Sequence, residues 1–563
     1  MLAPFLSRPL IAYFSMEVGV HTDMPTYSGG LGILAGDILR SAADLNLPMV
    51  GVTLISRRGY FRQILSPQGE QREEPDPWDP AQACTPLGAK VSVTIEGREV
   101  WVRAWLHFIE GHLGDQLPVV LLDTDLPEND AADRELTHYL YGGDATYRFK
   151  QEVILGIGGV RLLHALGFRI RKYHMNEGHA ALLALELLRD TQASADDLRP
   201  GESPFDFPSV RSRCDFTTHT PIGAGRDEFD YALVTRVLSG FMDEATLKLL
   251  GGAERLDMSR LAMNLSGFVN GVAKRHAETS RSLFPGYAVR AVTNGVHAHT
   301  WVSPPFAALF DRHLPGWCNE PEILVRVDCC VGPEQVWEAH AAAKAALLAY
   351  VQTTTGIQLD LSLPILGFAR RMTSYKRPEL LFSDIERLRA IARRTPFQII
   401  LAGKAHPRDA EGKERIARLH GALRTLAPDI TGVFLPNYTM AMAQRLVSGV
   451  DVWLNTPQPP LEASGTSGMK AAMNGVPSLS VLDGWWAEGC IEGVTGWAIG
   501  DGRVETASND ARSLYDKLEQ RVLPLYYEDR AKWTYVMKSA ISRNGSLFNS
   551  HRMMRRYAAE AYL

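Results

Sequence analysis

Short apolar runs alternate with longer amphipathic ones along this chain, and the alternation runs twice. That rhythm is the signature of parallel sheets covered by helices, an α/β fold. In the first half, Leu10 to Phe14 reads as a strand. A turn, Ser28-Gly29-Gly30-Leu31-Gly32, then feeds a helix from about Ile33 to Leu45, and Pro48 to Leu54 is a second buried strand. Lys90 to Ile95 and Val100 to Ala104 form a hairpin about Glu96-Gly97, and Val119 to Leu122 is strand-like. Arg148 to Leu166 and His179 to Leu188 carry apolar residues at helical spacing. Gly156-Ile157-Gly158-Gly159 falls inside the first of these, so it reads as close helix packing and not as a dinucleotide fingerprint.

An alanine-rich helix spans Gln335 to Val351. Thr353 to Leu363 is polar and weakly patterned, and the domain boundary is expected there, near residue 357. The expected units are residues 1–356 and 357–563, with the C-terminal helices free to cross back. The second rhythm has strands at Pro364 to Phe368, Phe397 to Ala402, Gly432 to Leu435, Val450 to Leu454 and Ser478 to Leu482. Helices are expected at Glu379 to Ala392 and Met469 to Asn474, and the chain from Leu514 reads as mostly helical. Two such Rossmann-like units face each other across a cleft, with ligands at the carboxyl ends of the strands.

Composition excludes several function classes. The 563 residues hold 59 Lys plus Arg against 64 Asp plus Glu, a formal charge of −5, which argues against a nucleic-acid binder. No run approaches the length of a membrane span. Met1 to Leu10 lacks the basic region and long apolar run of a signal peptide. The six cysteines show no Cys-x-x-Cys spacing, so reduced thiols and a cytoplasmic location are expected.

Three segments could carry chemistry. Arg370-Arg371-Met372-Thr373-Ser374-Tyr375-Lys376-Arg377 places four fixed cations directly after a strand, suited to a phosphate dianion. In Glu462-Ala463-Ser464-Gly465-Thr466-Ser467-Gly468-Met469-Lys470, small residues allow close backbone approach. Lys470 there is a candidate Schiff-base lysine for an aldehyde cofactor, and Glu462 can accept hydrogen bonds from sugar hydroxyls. The Gly29-Gly30 loop suits an anionic or hydroxyl-rich ligand. His219 follows the strand Cys214 to Thr217. His297 and His299 are separated by one residue but have no third ligand at suitable spacing, so no metal is expected.

Together these motifs resemble the α-glucan phosphorylases, the glycogen and maltodextrin phosphorylase family in its shorter form. The matching stretches include Tyr27-Ser-Gly-Gly-Leu-Gly, Gly59-Tyr-Phe, Arg148-Phe-Lys-Gln-Glu, Asn176-Glu-Gly-His, Thr218-His-Thr-Pro, Phe268-Val-Asn-Gly-Val-Ala, Thr293-Asn-Gly-Val, Tyr375-Lys-Arg, Ala402-Gly-Lys-Ala, Asn437-Tyr and Glu462-Ala-Ser-Gly-Thr. They occur in the family's order over roughly residues 10 to 500.

The resemblance implies a glycosyltransferase-B architecture, bound pyridoxal 5'-phosphate, and retaining phosphorolysis of an α-1,4-glucan to glucose 1-phosphate. It implies that Lys470 anchors the cofactor, with Thr466, Ser467 and Arg370 around its phosphate and Tyr438 near its ring. Arg371 and Lys376 would hold substrate phosphate near Gly29 and Gly30. That phosphate would protonate the glycosidic oxygen and recover its proton from the cofactor phosphate. His219 would stabilise the transition state through its backbone carbonyl. Asn294, Glu462, Ala463, Ser464 and Gly465 would hold the terminal glucose, with Tyr375, Asn176 and Glu177 at its border. The partners are glycogen or maltodextrin, inorganic phosphate and glucose 1-phosphate, with no nucleic acid and no membrane. A homodimer is compatible with the sequence.

Two departures from the family pattern bear on specificity. Arg226 stands where short members usually carry histidine, and Gln458 lies where a basic pair is common. Two other readings compete: a nucleotide-sugar-dependent α-glucan synthase of the same fold, and a non-catalytic glucan-binding protein. Lys470 speaks against the first. Intact Arg371, Lys376, His219 and Lys470 speak against the second.

Overall fold

The computed structural model describes residues 2–194, 196, 198–199, 202–220, 227–502 and 507–563. The first sheet has nine strands. In chain order they are β1 (Leu10–Ser15), β2 (Met49–Leu54), β3 (Thr85–Ile95), β4 (Arg98–Glu110), β5 (Gln116–Asp123), β6 (Ile170–Asn176), β7 (Cys214–Thr217), β8 (Phe268–Gly271) and β9 (Arg290–Ala291). Across the sheet the order is β9-β8-β7-β6-β1-β2-β5-β4-β3. Pairing is parallel except for the antiparallel meander β3-β4-β5. All six residues of β1 are buried, as they must be in a sheet covered on both faces.

The second sheet is all parallel. Its strands are β10 (Ile365–Ala369), β11 (Gln398–Ala402), β12 (Gly432–Leu435), β13 (Val452–Asn455), β14 (Ser478–Val481) and β15 (Gly496–Ile499). They lie in the order β12-β11-β10-β13-β14-β15. Both sheets therefore reverse their winding beside a central strand. In the first the switch lies between β1 and β6, and in the second between β10 and β13. Open α/β sheets bind ligands just beyond the strand ends at such a point.

Five helices matter for the site: α1 (Gly30–Asp44), α2 (Ala298–Trp301), α3 (Pro333–Thr355), α4 (Ser467–Met473) and α5 (Ser550–Tyr557). The helix expected from Arg148 to Leu166 runs through a π-type stretch at Ile154–Gly158. Its glycines are packing glycines: a Cβ on Gly156 would lie 2.7 Å from the Leu183 nitrogen, and one on Gly159 2.6 Å from Phe14. The helix expected from Glu379 to Ala392 divides into a 3-10 turn, Pro378–Phe382, and a helix, Ile385–Arg394. Asp384 causes the break, its carboxylate accepting the Arg387 N–H as an N-cap.

The C-terminal helix α5 packs against the first sheet. Ser550 bonds Ser41 of α1, and the Tyr557 hydroxyl reaches Thr217 and Asn270. No described helix is long and apolar enough to cross a membrane.

Candidate active site

The loops after β1 and β10 open into one cleft of about 1250 Å³ of empty space, including its mouth. Most residues singled out in the sequence line it: Gly29, Gly30, His219, Asn294, Arg370, Arg371, Tyr375, Lys376, Tyr438, Glu462, Ala463, Ser464, Gly465, Thr466, Ser467 and Lys470. Asn176 and Glu177 are not in its wall; they stand behind His219 and hold it.

Glu17 builds the glycine loop from beneath. One of its carboxylate oxygens accepts the N–H groups of Ser28, at 2.5 Å, and Gly29, at 3.1 Å. The Tyr141 hydroxyl donates to the other oxygen at 2.9 Å. Gly32 leaves room for this carboxylate, because a Cβ there would sit 2.7 Å from it. The loop then faces the second sheet directly: a Cβ on Gly29 would lie 3.5 Å from Arg371 Cδ.

The cation cluster is partly neutralised. Glu462 Oε2 lies 2.6 Å from Lys376 Nζ and 2.7 Å from Arg370 Nη1. Burial alone would raise the Glu462 pKa, but these two cations overcome it and hold it at about 2. Arg371 has no ion pair among the described residues and points its charge into the cleft. Three cations against one carboxylate leave a surplus of positive charge, suited to phosphate. Gly465 permits the arrangement with φ +79°, where a Cβ would come within 3.3 Å of both Arg370 and Glu462.

His219 is fixed from two sides. Its backbone N–H donates to Glu177 Oε2 at 2.5 Å. Its Nε2 lies 2.6 Å from Asn176 Oδ1. Asn176 Nδ2 donates to Ser15 Oγ at 3.0 Å, and the Ser15 hydroxyl donates to the Glu17 carbonyl at 2.7 Å. That order turns Asn176 Oδ1 toward the imidazole, so His219 Nε2 carries the hydrogen. Burial depresses the His219 pKa to about 3, so the ring is neutral. Burial raises Glu177 to about 7 against the pull of the His219 and Gly178 N–H groups. Glu177 also adopts φ +73°, a turn geometry uncommon for a residue with a side chain.

Lys470, on α4, forms the floor. Its Nζ lies 3.8 Å from the centre of the Trp301 indole. The Trp301 Nε1 donates to both carboxylate oxygens of Asp37, at 3.0 and 2.9 Å. Burial lowers the Lys470 pKa to about 8, with Asp37 opposing. Its amine has no ion pair among the described residues. Two further cleft atoms, Ser464 Oγ and Asn294 Oδ1, are buried without a hydrogen-bond partner. An amine, a hydroxyl and an amide oxygen left open in one cleft fit an aldehyde cofactor beside a hydroxyl-rich ligand.

Sequence reasoning assigned no role to Glu17, Asp37 or Trp301. Asp37 was detectable as the one acid within the apolar stretch Leu31 to Leu39. Glu17 and Trp301 gave no local signal, since both act through partners distant in sequence. Lys404, within a matched stretch, donates to the Phe61 carbonyl at 2.9 Å and joins the sheets. Gln458 is exposed, and its backbone N–H donates to the Tyr375 carbonyl at 2.7 Å. Arg226 lies outside the described residues.

Comparison with known proteins decides the family. A carbohydrate phosphorylase family model matches residues 227–490. Maltodextrin phosphorylase of Thermococcus litoralis is 38% identical, over 99% of this chain and 71% of that protein. The chain belongs to the carbohydrate phosphorylase family. Glycogen phosphorylase of Mycobacterium tuberculosis is 36% identical over 98% of the chain and 70% of that protein. Glycogen phosphorylase of Aquifex aeolicus is 34% identical over 98% of the chain and 86% of its own length. Two largely parallel sheets whose following loops share one cleft are the glycosyltransferase-B frame expected of a carbohydrate phosphorylase.

Proposed function

We propose that this carbohydrate phosphorylase cleaves the terminal α-1,4 linkage of a glycogen- or maltodextrin-like glucan with phosphate, releasing glucose 1-phosphate with retained configuration. The observation that carries the proposal is Lys470: a buried amine without an ion-pair partner among the described residues, lowered to about 8, on the floor of a cleft walled by Arg370, Arg371 and Lys376. A synthase using a nucleotide sugar has no need of such a lysine.

Pyridoxal 5'-phosphate fits this floor, with Lys470 to anchor its aldehyde, Thr466, Ser467 and Arg370 to hold its phosphate, and Tyr438 beside its ring. When bound, it supplies a second phosphate for proton exchange with the substrate phosphate. Arg371 and Lys376 gather the substrate phosphate against the Gly29-Gly30 loop. That phosphate protonates the glycosidic oxygen, the bond to the anomeric carbon breaks, and a phosphate oxygen then bonds that carbon from the same face. Asn294, Glu462, Ala463, Ser464 and Gly465 hold the terminal glucose. Asn176 and Glu177 lock His219 so that its carbonyl meets the developing positive charge.

A second pocket, lined by Tyr60, Phe61, Tyr139, Tyr141 and His406, offers aromatic faces to the rest of the glucan. We take the cleft to lie between units divided near residue 357. Six unpaired thiols suit a reducing compartment, and we place the protein in the cytoplasm.

The test is to supply maltodextrin and phosphate and assay glucose 1-phosphate. Activity that needs phosphate and is abolished in Lys470→Ala supports the reading. Turnover of ADP-glucose by cofactor-free protein would replace it with the synthase.

A further inference from the structure

His297 and His299 offered two imidazoles and no third ligand in the sequence. The fold supplies partners from distant segments, and it treats the two histidines differently. His297 is buried and spent: its Nε2 lies 2.7 Å from Asp44 Oδ2 and its Nδ1 2.6 Å from Thr300 Oγ1. His299 turns outward, and its Nδ1 lies 3.3 Å from the sulfur of Cys318. His112, from the turn between β4 and β5, lies beside it with ring centres 5.0 Å apart and the planes tilted by 52°.

One ligand atom from each of His112, His299 and Cys318 falls within 4.8 Å of the others. Two imidazole nitrogens and a thiolate around a tetrahedral zinc stand about 3.5 Å apart, given metal–nitrogen and metal–sulfur bonds of about 2.0 and 2.3 Å. The observed His299–Cys318 separation already meets that spacing, and small rotamer shifts bring in His112. Both histidines are exposed, so an ion has a path in, while Cys318 is buried at the base.

The surroundings favour a cation. Asp44 and Asp311 both exert their negative charge on His299 and Cys318. Each is pinned: Asp44 Oδ1 accepts the His112 backbone N–H at 2.7 Å, and Asp311 accepts the Trp317 Nε1–H at 2.8 Å. Asp44 thus fixes the turn that carries His112, as metal sites require of their outer shell.

We propose that His112, His299 and Cys318 form a binding site for one zinc ion, with water as the fourth ligand. Cys318 gives its proton to solvent on binding, and the two imidazoles coordinate neutral. A borderline-soft ion is selected by the thiolate, which disfavours magnesium and calcium. The ion staples the β4–β5 turn to α2 and to the segment after the helix Pro304–His313. Helix α2 also carries Trp301, two residues on, which packs against Lys470. The site is therefore tied through α2 to the floor of the cleft.

The test uses the full chain, stripped with chelator and dialysed against zinc or cobalt(II). One ion per chain is expected, with a thiolate-to-cobalt charge-transfer band in the near ultraviolet. The band persists in a Cys329→Ser/Cys330→Ser double variant, which removes the other adjacent thiols, and vanishes in Cys318→Ser. Zinc binds about tenfold or more weakly to His112→Gln and His299→Gln, since a lost ligand costs at least as much as a lost outer-shell partner. Because His112 sits on an exposed turn, its variant keeps the test alive if Cys318→Ser does not fold. No stoichiometric ion in the wild type, or an unchanged cobalt band in Cys318→Ser or His112→Gln, overturns the site.

Discussion

Lys376 Nζ and Glu462 Oε2 form a 2.6 Å ion pair at the mouth of the cation cluster, and Arg370 shares the same oxygen. The carboxylate offsets the repulsion between the two cations, and the function proposed above gives it a second role in holding the terminal glucose. Replacing it with an amide keeps the shape and removes the charge. Glu462→Gln is expected to lower the KM for phosphate and raise that for glucan by about tenfold each, the worth of one charge-assisted hydrogen bond. Initial-rate kinetics with each substrate varied in turn will separate the effects. Parallel changes in both constants would mean that Glu462 is only a structural counter-ion.

Arg371 carries the cluster's one charge without an ion pair among the described residues, and it faces Gly29 across the cleft. Arg371→Ala is therefore expected to cut phosphate-dependent kcat/KM by about a hundredfold or more while glucan binding changes little. Equilibrium binding of maltodextrin, measured beside turnover, checks this. Equal losses in both would remove Arg371 from the phosphate site.

His219 depends on Asn176 for its orientation. Asn176→Ala leaves the Nε2–H without its partner, at a cost of about 1–3 kcal/mol. If the ring fixes the carbonyl that meets the transition state, kcat falls about tenfold to a hundredfold while the phosphate KM stays put. A change in KM alone would place Asn176 in binding instead.

The aromatic pocket bears on chain length. Tyr60 and Tyr139 line it away from Lys470. Tyr139→Ala is expected to raise the KM for long maltodextrins several-fold and leave the shortest substrate unaffected. A uniform change across chain lengths would exclude a glucan path there.

Much of this site was legible because its parts are local. Gly29-Gly30, Arg370 to Lys376 and Glu462 to Lys470 each follow a strand closely enough for the pattern to place them at a strand end. The holders were not legible, because they act across sequence. Glu17 reaches Ser28 and Tyr141, and Trp301 reaches Asp37 and Lys470. No spacing rule links such pairs. Strand β3 begins at Thr85, five residues before the expected start, because pairing with β4 resumes at Pro86 after a register shift that hides its alternation. His299 looked idle for the same reason: Cys318 and His112 arrive from separate loops.

Lys470 also sets a pH dependence. Burial lowers its pKa from 10.5 to about 8, so the charged amine is the disfavoured form in the fold. A base whose folded pKa lies below its unfolded value costs stability while it is protonated in both states. The cost is full below about pH 8 and fades as pH rises from there toward 10.5. Two outcomes follow for cofactor-free protein. Loading with pyridoxal 5'-phosphate accelerates as pH rises through about 8, because the neutral amine is the nucleophile. Lys470→Met stabilises the protein at pH 7, and the gain shrinks on going to pH 10. Stopped-flow absorbance and urea unfolding across that range measure both. A loading rate that stays flat from pH 6 to 9, or a stability gain independent of pH, would show that the amine is not held in a low-polarity pocket.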